Sequence, residues 1–140
     1  MTEIEQNKSI VSDFIEALFT KGDLGATDRY LAVDFVNHDP PFGASADREG
    51  MRDAAAALRV AFPDWHSDLH LVVGEGDIVV EHFTASGTHR APLMGVPPSG
   101  KTLALKGINI FRLRDGRIAE RWGRLDDLGF LSHLGVVNLP

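Results

Sequence analysis

The chain has no cysteine in its 140 residues. That removes disulfides, thiol nucleophiles and thiolate metal sites together, and it fits a reducing compartment. Positive charge is also scarce, with 14 Lys and Arg against 20 Asp and Glu and a formal charge of −6. A nucleic-acid backbone would on average be repelled, so no nucleic-acid partner is expected. No apolar run approaches the roughly 20 residues of a membrane span. The opening MTEIEQNKSIV carries acidic residues and no apolar core, unlike a signal peptide. The expectation is a cytoplasmic protein with no membrane contact. Internal repeats and low-complexity tracts are missing too. His66, His70, His89 and His133 show no helical i,i+4 pairing, so no metal site is expected, although His66 and His70 could share a strand face.

What is present describes an ordinary globular protein. Hydrophobic residues make up 44% and charged residues 24%, and the length suits one domain spanning 1–140 with a core of its own. Ile10, Val11, Phe14, Ile15 and Leu18 recur at helical spacing, which predicts an N-terminal helix stopped near Lys21-Gly22-Asp23. A short helix is expected over Thr27 to Leu31. The segment DFVNHDPPFG, Asp34 to Gly43, starts extended and is driven out of regular structure by Pro40-Pro41. From Asp47 to Phe62 an alanine-rich amphipathic run predicts a second long helix, with Asp47 as N-cap and Pro63 as its stop. Strand patterns follow in WHSDLHLVV, DIVVEHFTASGTHR, TLALKGINIFRLR and RIAERWGRL. Asp126-Asp127 then open a short closing helix that ends at Gly135. Helices first and antiparallel strands afterwards imply an α+β fold, with one sheet face packed on the helices.

The hairpin NIFRLRDGRIAERWGR, Asn109 to Arg124, mixes Asn109, Arg121 and Trp122 with residues that a sheet should bury. A two-residue turn at Asp115-Gly116 would set Asn109 opposite Trp122. A three-residue turn, Arg114-Asp115-Gly116, would set Asn109 beside Arg121. In that second register Leu105, Gly107, Asn109, Phe111, Ala119, Arg121, Gly123 and Leu125 share one face. Ile108, Ile110, Ile118, Glu120 and Trp122 share the other, and Lys106 meets Arg124. The like-charged Lys106/Arg124 pair counts slightly against it, and the residues alone leave both registers open.

Three motifs carry a resemblance: FVNHDP, then GTHRAPLMGVPPSGK between strands, then IFRLRDGRIAERW followed by DDLGFLSHLG. In order and spacing the whole chain resembles the SnoaL-like polyketide cyclases, of the cone-shaped superfamily that includes ketosteroid isomerase and nuclear transport factor. The resemblance implies a strongly curved mixed or antiparallel sheet closed as a cone-shaped barrel against N-terminal helices, and it favours the three-residue turn. It also implies a deep apolar pocket, a hydrophobic polycyclic small-molecule substrate, and chemistry with no cofactor and no metal. By the same resemblance the family's histidine of the penultimate strand falls at Asn109, its glutamine at Gly107 and its catalytic aspartate at Gly123, while its first-strand asparagine is kept as Asn37. Glycine cannot act as an acid or base. The departure points to a tailoring step such as hydroxylation with a partner reductase, or, as the alternative, to a protein that only binds an apolar polycyclic ligand.

On these grounds the expected catalytic residues are His38, Asp39, Asn109 and Arg121. Asn109 and Arg121 would hold substrate oxygens, and His38 or Asp39 would move protons. The plainer readings are an Arg121 salt bridge to Glu120, Glu81 or Asp126, a turn cap at Asp39 and a packed His38. The expected substrate-binding residues are Asn37, Phe42, Trp65, His82, Met94, Gly107, Phe111 and Gly123. For the aromatic ones the plainer reading is core packing. For His82 the inward face of its strand, His82-Thr84-Ser86 or Glu81-Phe83-Ala85, is undetermined. Gly107 and Gly123 would be cross-strand neighbours that widen the pocket floor or are filled by a bulky neighbour. A broad second sheet face with Ile108, Ile110 and Trp122 predicts a homodimer or higher homo-oligomer.

Overall fold

A computed structural model describes residues 1–41, 43–138 and 140. Helix α1, Glu3–Ile15, opens with a reciprocal cap in which Glu5 N donates to Thr2 Oγ1 at 3.1 Å and Thr2 N donates to the Glu5 carboxylate at 3.4 Å. Its apolar stripe buries Val11, Phe14 and Ile15. The stripe continues to Leu18, but over Glu16–Thr20 the helix widens into a π-helical turn. Arg59 holds the end of that turn, donating from Nη1 to the carbonyls of Phe19 at 3.2 Å and Thr20 at 2.9 Å. The short α2, Ala26–Tyr30, leads into β1, Leu31–Asn37. Helix α3, Arg48–Ala61, starts at Asp47, whose carboxylate accepts from Gly50 N at 2.9 Å.

The remaining strands are β2, His66–Glu75, β3, Ile78–Thr88, β4, Thr102–Arg114, and β5, Arg117–Leu125, and α4, Asp127–Leu134, closes the chain. Asp126 caps α4 by accepting from Gly129 N at 3.0 Å, and Gly135 ends it with φ 95°. The five strands run in the order β1-β5-β4-β3-β2. Among the described residues only β1 with β5 is parallel. The architecture is α+β with a cone-like mixed sheet, and the sheet stays open where a closed barrel was expected. Among the described residues no helix is long and apolar enough to cross a membrane.

Next to the turn the two-residue register is the observed one, against the three-residue turn that the resemblance favoured, and beyond a bulge neither expected register is kept. At the turn Arg114 pairs with Arg117, so the loop is the two-residue Asp115-Gly116, with positive φ at both residues (53° and 76°). Ala119 is then extruded as a bulge between the pairs Leu113↔Ile118 and Arg112↔Glu120. Beyond it Phe111 faces Arg121, Ile110 faces Trp122, Asn109 faces Gly123 and Gly107 faces Leu125. The extra residue restores the parity of the three-residue turn, so Asn109, Phe111, Arg121 and Gly123 share the helix-covered face although every partner moves by two. Ile118, before the bulge, also turns inward and is fully buried. Arg124 lies opposite Ile108, so the like-charged pair with Lys106 never forms.

The covered face holds two apolar clusters. One gathers α1, β1 and the turn ends of β4 and β5 around Phe14, Phe35, Phe111 and Ile118. The other gathers Phe62, Trp65, Phe83, Leu105 and Phe130 at the far end. Between them on β3, β4 and β5 the inward residues are Glu81, Asn109 and Arg121, all buried. A polar row thus crosses an otherwise apolar concave face.

Candidate functional site

A cavity of about 620 Å³ lies between this face and the helices. Phe14, Phe19, Leu58, Trp65, Phe83 and Phe111 line much of it, with Asn37, Asp39, Glu81, Asn109 and Arg121 as its polar side. Size and composition are those of a small-molecule site, mostly apolar with a few convergent polar groups.

The polar side chains form one chain of hydrogen bonds. Asn109 Nδ2 donates to Glu81 Oε1 at 2.6 Å, which turns the Asn109 carbonyl toward β5. There Oδ1 accepts from Arg121 Nε at 2.9 Å and Nη2 at 2.7 Å. Arg121 Nη1 donates to Asn37 Oδ1 at 3.2 Å and to the Asp39 carbonyl at 2.8 Å. A buried guanidinium needs such partners, because its desolvation is otherwise uncompensated. Four N–H groups of Arg121 are used in this way. One Nη2 N–H of the five remains for a ligand oxygen. Two buried polar atoms at the ends of the row, Asn37 Nδ2 and Glu81 Oε2, have no partner among the described residues.

Protonation divides the two carboxyl groups of the row. Asp39 Oδ2 accepts from Gly123 N and from Arg124 Nη1, each at 2.9 Å. The Gly123 N–H, with help from Arg124 and Arg121, holds the Asp39 carboxyl below its ordinary range, so it stays ionised. Burial drives the Glu81 carboxyl up to about 7, against the opposing Asn109 hydrogen bond and the Arg121 charge. Burial likewise lowers Arg121, against the attraction of Asp39, Glu81 and Asp127. Partial desolvation raises Asp127, an exposed residue at the start of α4 that borders the same cavity.

Of the residues singled out from sequence, Asn37, Asp39, Trp65, Met94, Asn109, Phe111, Arg121 and Gly123 line the cavity. Met94 reaches it from the loop between β3 and β4 and is 52% exposed. Phe42 lies outside the described residues. His38 is turned to the outer face, stacked on Trp122 with ring centroids 4.7 Å apart and bonded to Glu120 Oε1 at 3.1 Å. As the residue after Asn37 it takes the opposite side of the strand, so it does not reach the cavity. His82 is exposed on that same outer face because β3 turns Glu81, Phe83 and Ala85 inward. The two glycines are not neighbours, and neither leaves a hole. A methyl group on Gly107 would lie 3.1 Å from Phe83 Cε1 and overlap Leu125, and one on Gly123 would overlap the Arg121 guanidinium.

Glu81 is the site residue that the sequence reading did not select. The signal was present in Val79-Glu81-Phe83-Ala85, the more apolar alternate set of β3, which a sheet turns toward its core.

A family model described as SnoaL-like polyketide cyclase matches residues 9–134. IdmH from Streptomyces antibioticus, a candidate polyketide cyclase, is 34% identical, with 94% of this chain and 99% of that one covered and a TM-score of 0.81. TsrD from Streptomyces laurentii is 28% identical over 98% of this chain and all of that one (100%), with a TM-score of 0.85. AclR from Streptomyces galilaeus, a candidate hydroxylase, shares the fold at a TM-score of 0.86 and 22% identity, over 97% and 100% of the two chains. Comparison with curated proteins returns no match.

Proposed function

Because this chain belongs to the SnoaL-like polyketide cyclase family, we propose that it is a cofactor-free enzyme acting on a hydrophobic, ring-bearing polyketide intermediate. One observation carries the reading: the hydrogen-bonded row of Asn37, Arg121, Asn109 and Glu81 set into a cavity that is otherwise apolar. The apolar walls would take the ring system, and the row would hold its oxygens. An enolate or phenolate facing Arg121 gains a desolvated positive charge and the remaining Nη2 N–H, which favours charge developing on that oxygen.

Position 123 bears on the reaction. Glycine there offers no acid or base, and the nearest carboxylate, Asp39, is held ionised by the Gly123 N–H itself. A tailoring step on a ring system already formed, such as hydroxylation beside a partner reductase, fits that arrangement better than ring closure through a carboxyl at 123. The exposed apolar residues of the outer sheet face support a homodimer as the working form.

The test is a titration of purified protein with an anthracyclinone panel. Trp65 lines the cavity whereas Trp122 sits on the outer face, so a Trp122→Phe background makes Trp65 the reporter. Saturable quenching that Arg121→Ala weakens at least about tenfold supports the reading. Binding that Arg121→Ala and Asn109→Ala leave untouched would overturn it. Turnover lost in those variants while ligand still binds marks an enzyme, and loss of binding alone marks a carrier.

A further inference from the structure

Resting on the reading of this cavity as the substrate site, we infer that Glu81 is its proton acceptor, taking a proton from a substrate C–H beside a carbonyl or from an acidic O–H. Three geometric facts support this assignment. Glu81 borders the cavity at the end of the polar row. Its Oε1 is held by Asn109 at 2.6 Å, which fixes the carboxyl plane. Its Oε2 is buried and has no partner among the described residues. A purely structural buried carboxyl would have both oxygens satisfied, because an orphaned one costs stability with no return. The free oxygen is the atom to which a proton would pass.

The step balances within the site. The substrate C–H or O–H bond breaks, an O–H bond forms at Glu81 Oε2, and the electron pair left behind resides on the substrate oxygen. That oxygen faces Arg121, whose charge also reaches Glu81. Glu81 becomes neutral as the substrate becomes negative, so the net charge beside the guanidinium is unchanged and its buried hydrogen bonds can persist. Both ring closure and hydroxylation of a ring begin from such an enolate or phenolate, so the role does not depend on which reaction follows.

Other groups fit the role less well. The charged or titratable groups sharing the polar side are Arg121 of β5, Asp39 beyond β1, Arg124 of β5 and Asp127 of α4. Helices α1 and α3 contribute only Phe14, Ile15, Met51, Ala54 and Leu58. Asp39 is occupied by Gly123 N and Arg124 and stays ionised as a weak base. Asp127 is exposed at the start of α4. Among the described residues that line the cavity, only Glu81 is both buried and placed to titrate near neutral pH, at about 7.

The probe is 2-tetralone, a ring-bearing ketone whose protons beside the carbonyl exchange in D2O and are followed by proton NMR, with binding read from Trp65 fluorescence. Wild type should accelerate exchange over buffer, and the rate should rise with pH to a plateau through a midpoint near 7, the Glu81 value. Glu81→Gln keeps an acceptor for Asn109 and should bind tetralone within about threefold while exchange falls by at least about 100-fold. Asp39→Asn should keep the midpoint. Exchange persisting in Glu81→Gln, or vanishing in Asp39→Asn with the Glu81 variant active, overturns the assignment. Bound tetralone that wild type does not exchange also overturns it. Failure of wild type to bind tetralone at all would instead bring down the cavity reading, and this assignment with it.

Discussion

The guanidinium of Arg121 lies across the backbone of Gly123, two residues on along the same strand, in the space where a side chain at 123 would stand. The same Gly123 gives its N–H to Asp39 Oδ2 at 2.9 Å. A glycine at this position therefore does two things: it admits the arginine on the cavity side, and it lets a carboxylate from the end of β1 dock on the strand.

From this follows a contrast between two glycines. In Gly123→Ala the methyl group must push the guanidinium off Asn109 and Asn37, costing about 1–3 kcal/mol in lost hydrogen bonds. In Gly107→Ala the methyl group meets Leu125 and Phe83, an overpacking cost of about the same 1–3 kcal/mol. Urea denaturation should place both variants in that range. Only Gly123→Ala should weaken anthracyclinone binding.

Removing the arginine should be worse for the fold. Arg121→Ala leaves Asn109 Oδ1 and the Asp39 carbonyl without the donors they have now and Asn37 Oδ1 with only the Asp39 N–H, and each buried group left unpaired should cost about 1–3 kcal/mol of stability. Arg121→Lys should recover only part of this, because an ammonium cannot bond Asn109 through two N–H groups of one plane. Equilibrium denaturation of the two variants checks the order.

Glu81 makes stability fall as pH rises. Its carboxyl sits at about 7 in the fold against an ordinary 4.5, so between those values the folded chain holds a proton that the unfolded chain has released. The destabilisation is absent below pH 4.5 and complete above about 7. Glu81→Gln should match wild type at pH 4.5 and exceed it by roughly 3 kcal/mol at pH 8. Urea midpoints at the two pH values measure this, and equal gains at both would contradict it.

His38 serves as a control on the outer face. Stacked on Trp122 and bonded to Glu120, it should contribute no more than about 1 kcal/mol, as exposed pairs do. His38→Ala should leave ligand affinity unchanged in the fluorescence titration. A drop of tenfold or more would mean that the outer face communicates with the cavity.

The outer face also predicts an oligomer. Val33, Leu71, Val73, Ile108 and Val36 are from 40% to 82% exposed, apolar side chains that a second copy of the chain would cover. Sedimentation at micromolar concentration should give a dimer, and Ile108→Lys should give a monomer by placing a charge in the apolar face.

Much of this architecture was legible one residue at a time. The reach of α1 and α3, the cap at Asp47, the stop at Pro63, the four later strands and the closing helix follow from local periodicity and turn chemistry, which depend on neighbours a few positions away. The composition of the cavity's polar side was partly legible for the same reason. Asn109 and Arg121 stand out as polar residues inside an apolar alternation, and Glu81 stands out once the more apolar face of β3 is taken as the inner one.

What the tertiary structure alone decided was which of these residues meet. One extruded residue, Ala119, shifts every pair beyond it by one position from the register of the two-residue turn, so that Ile118 before it and Arg121 after it both face inward. A bulge is settled by how a sheet bends over its core, which no short window of sequence contains. The same limit applies to the row itself. Asn37, Glu81, Asn109 and Arg121 come from four strands and lie as many as 84 residues apart. Whether a carboxyl among them is ionised depends on how much water the assembled fold leaves around it, and that is a property of the packed molecule.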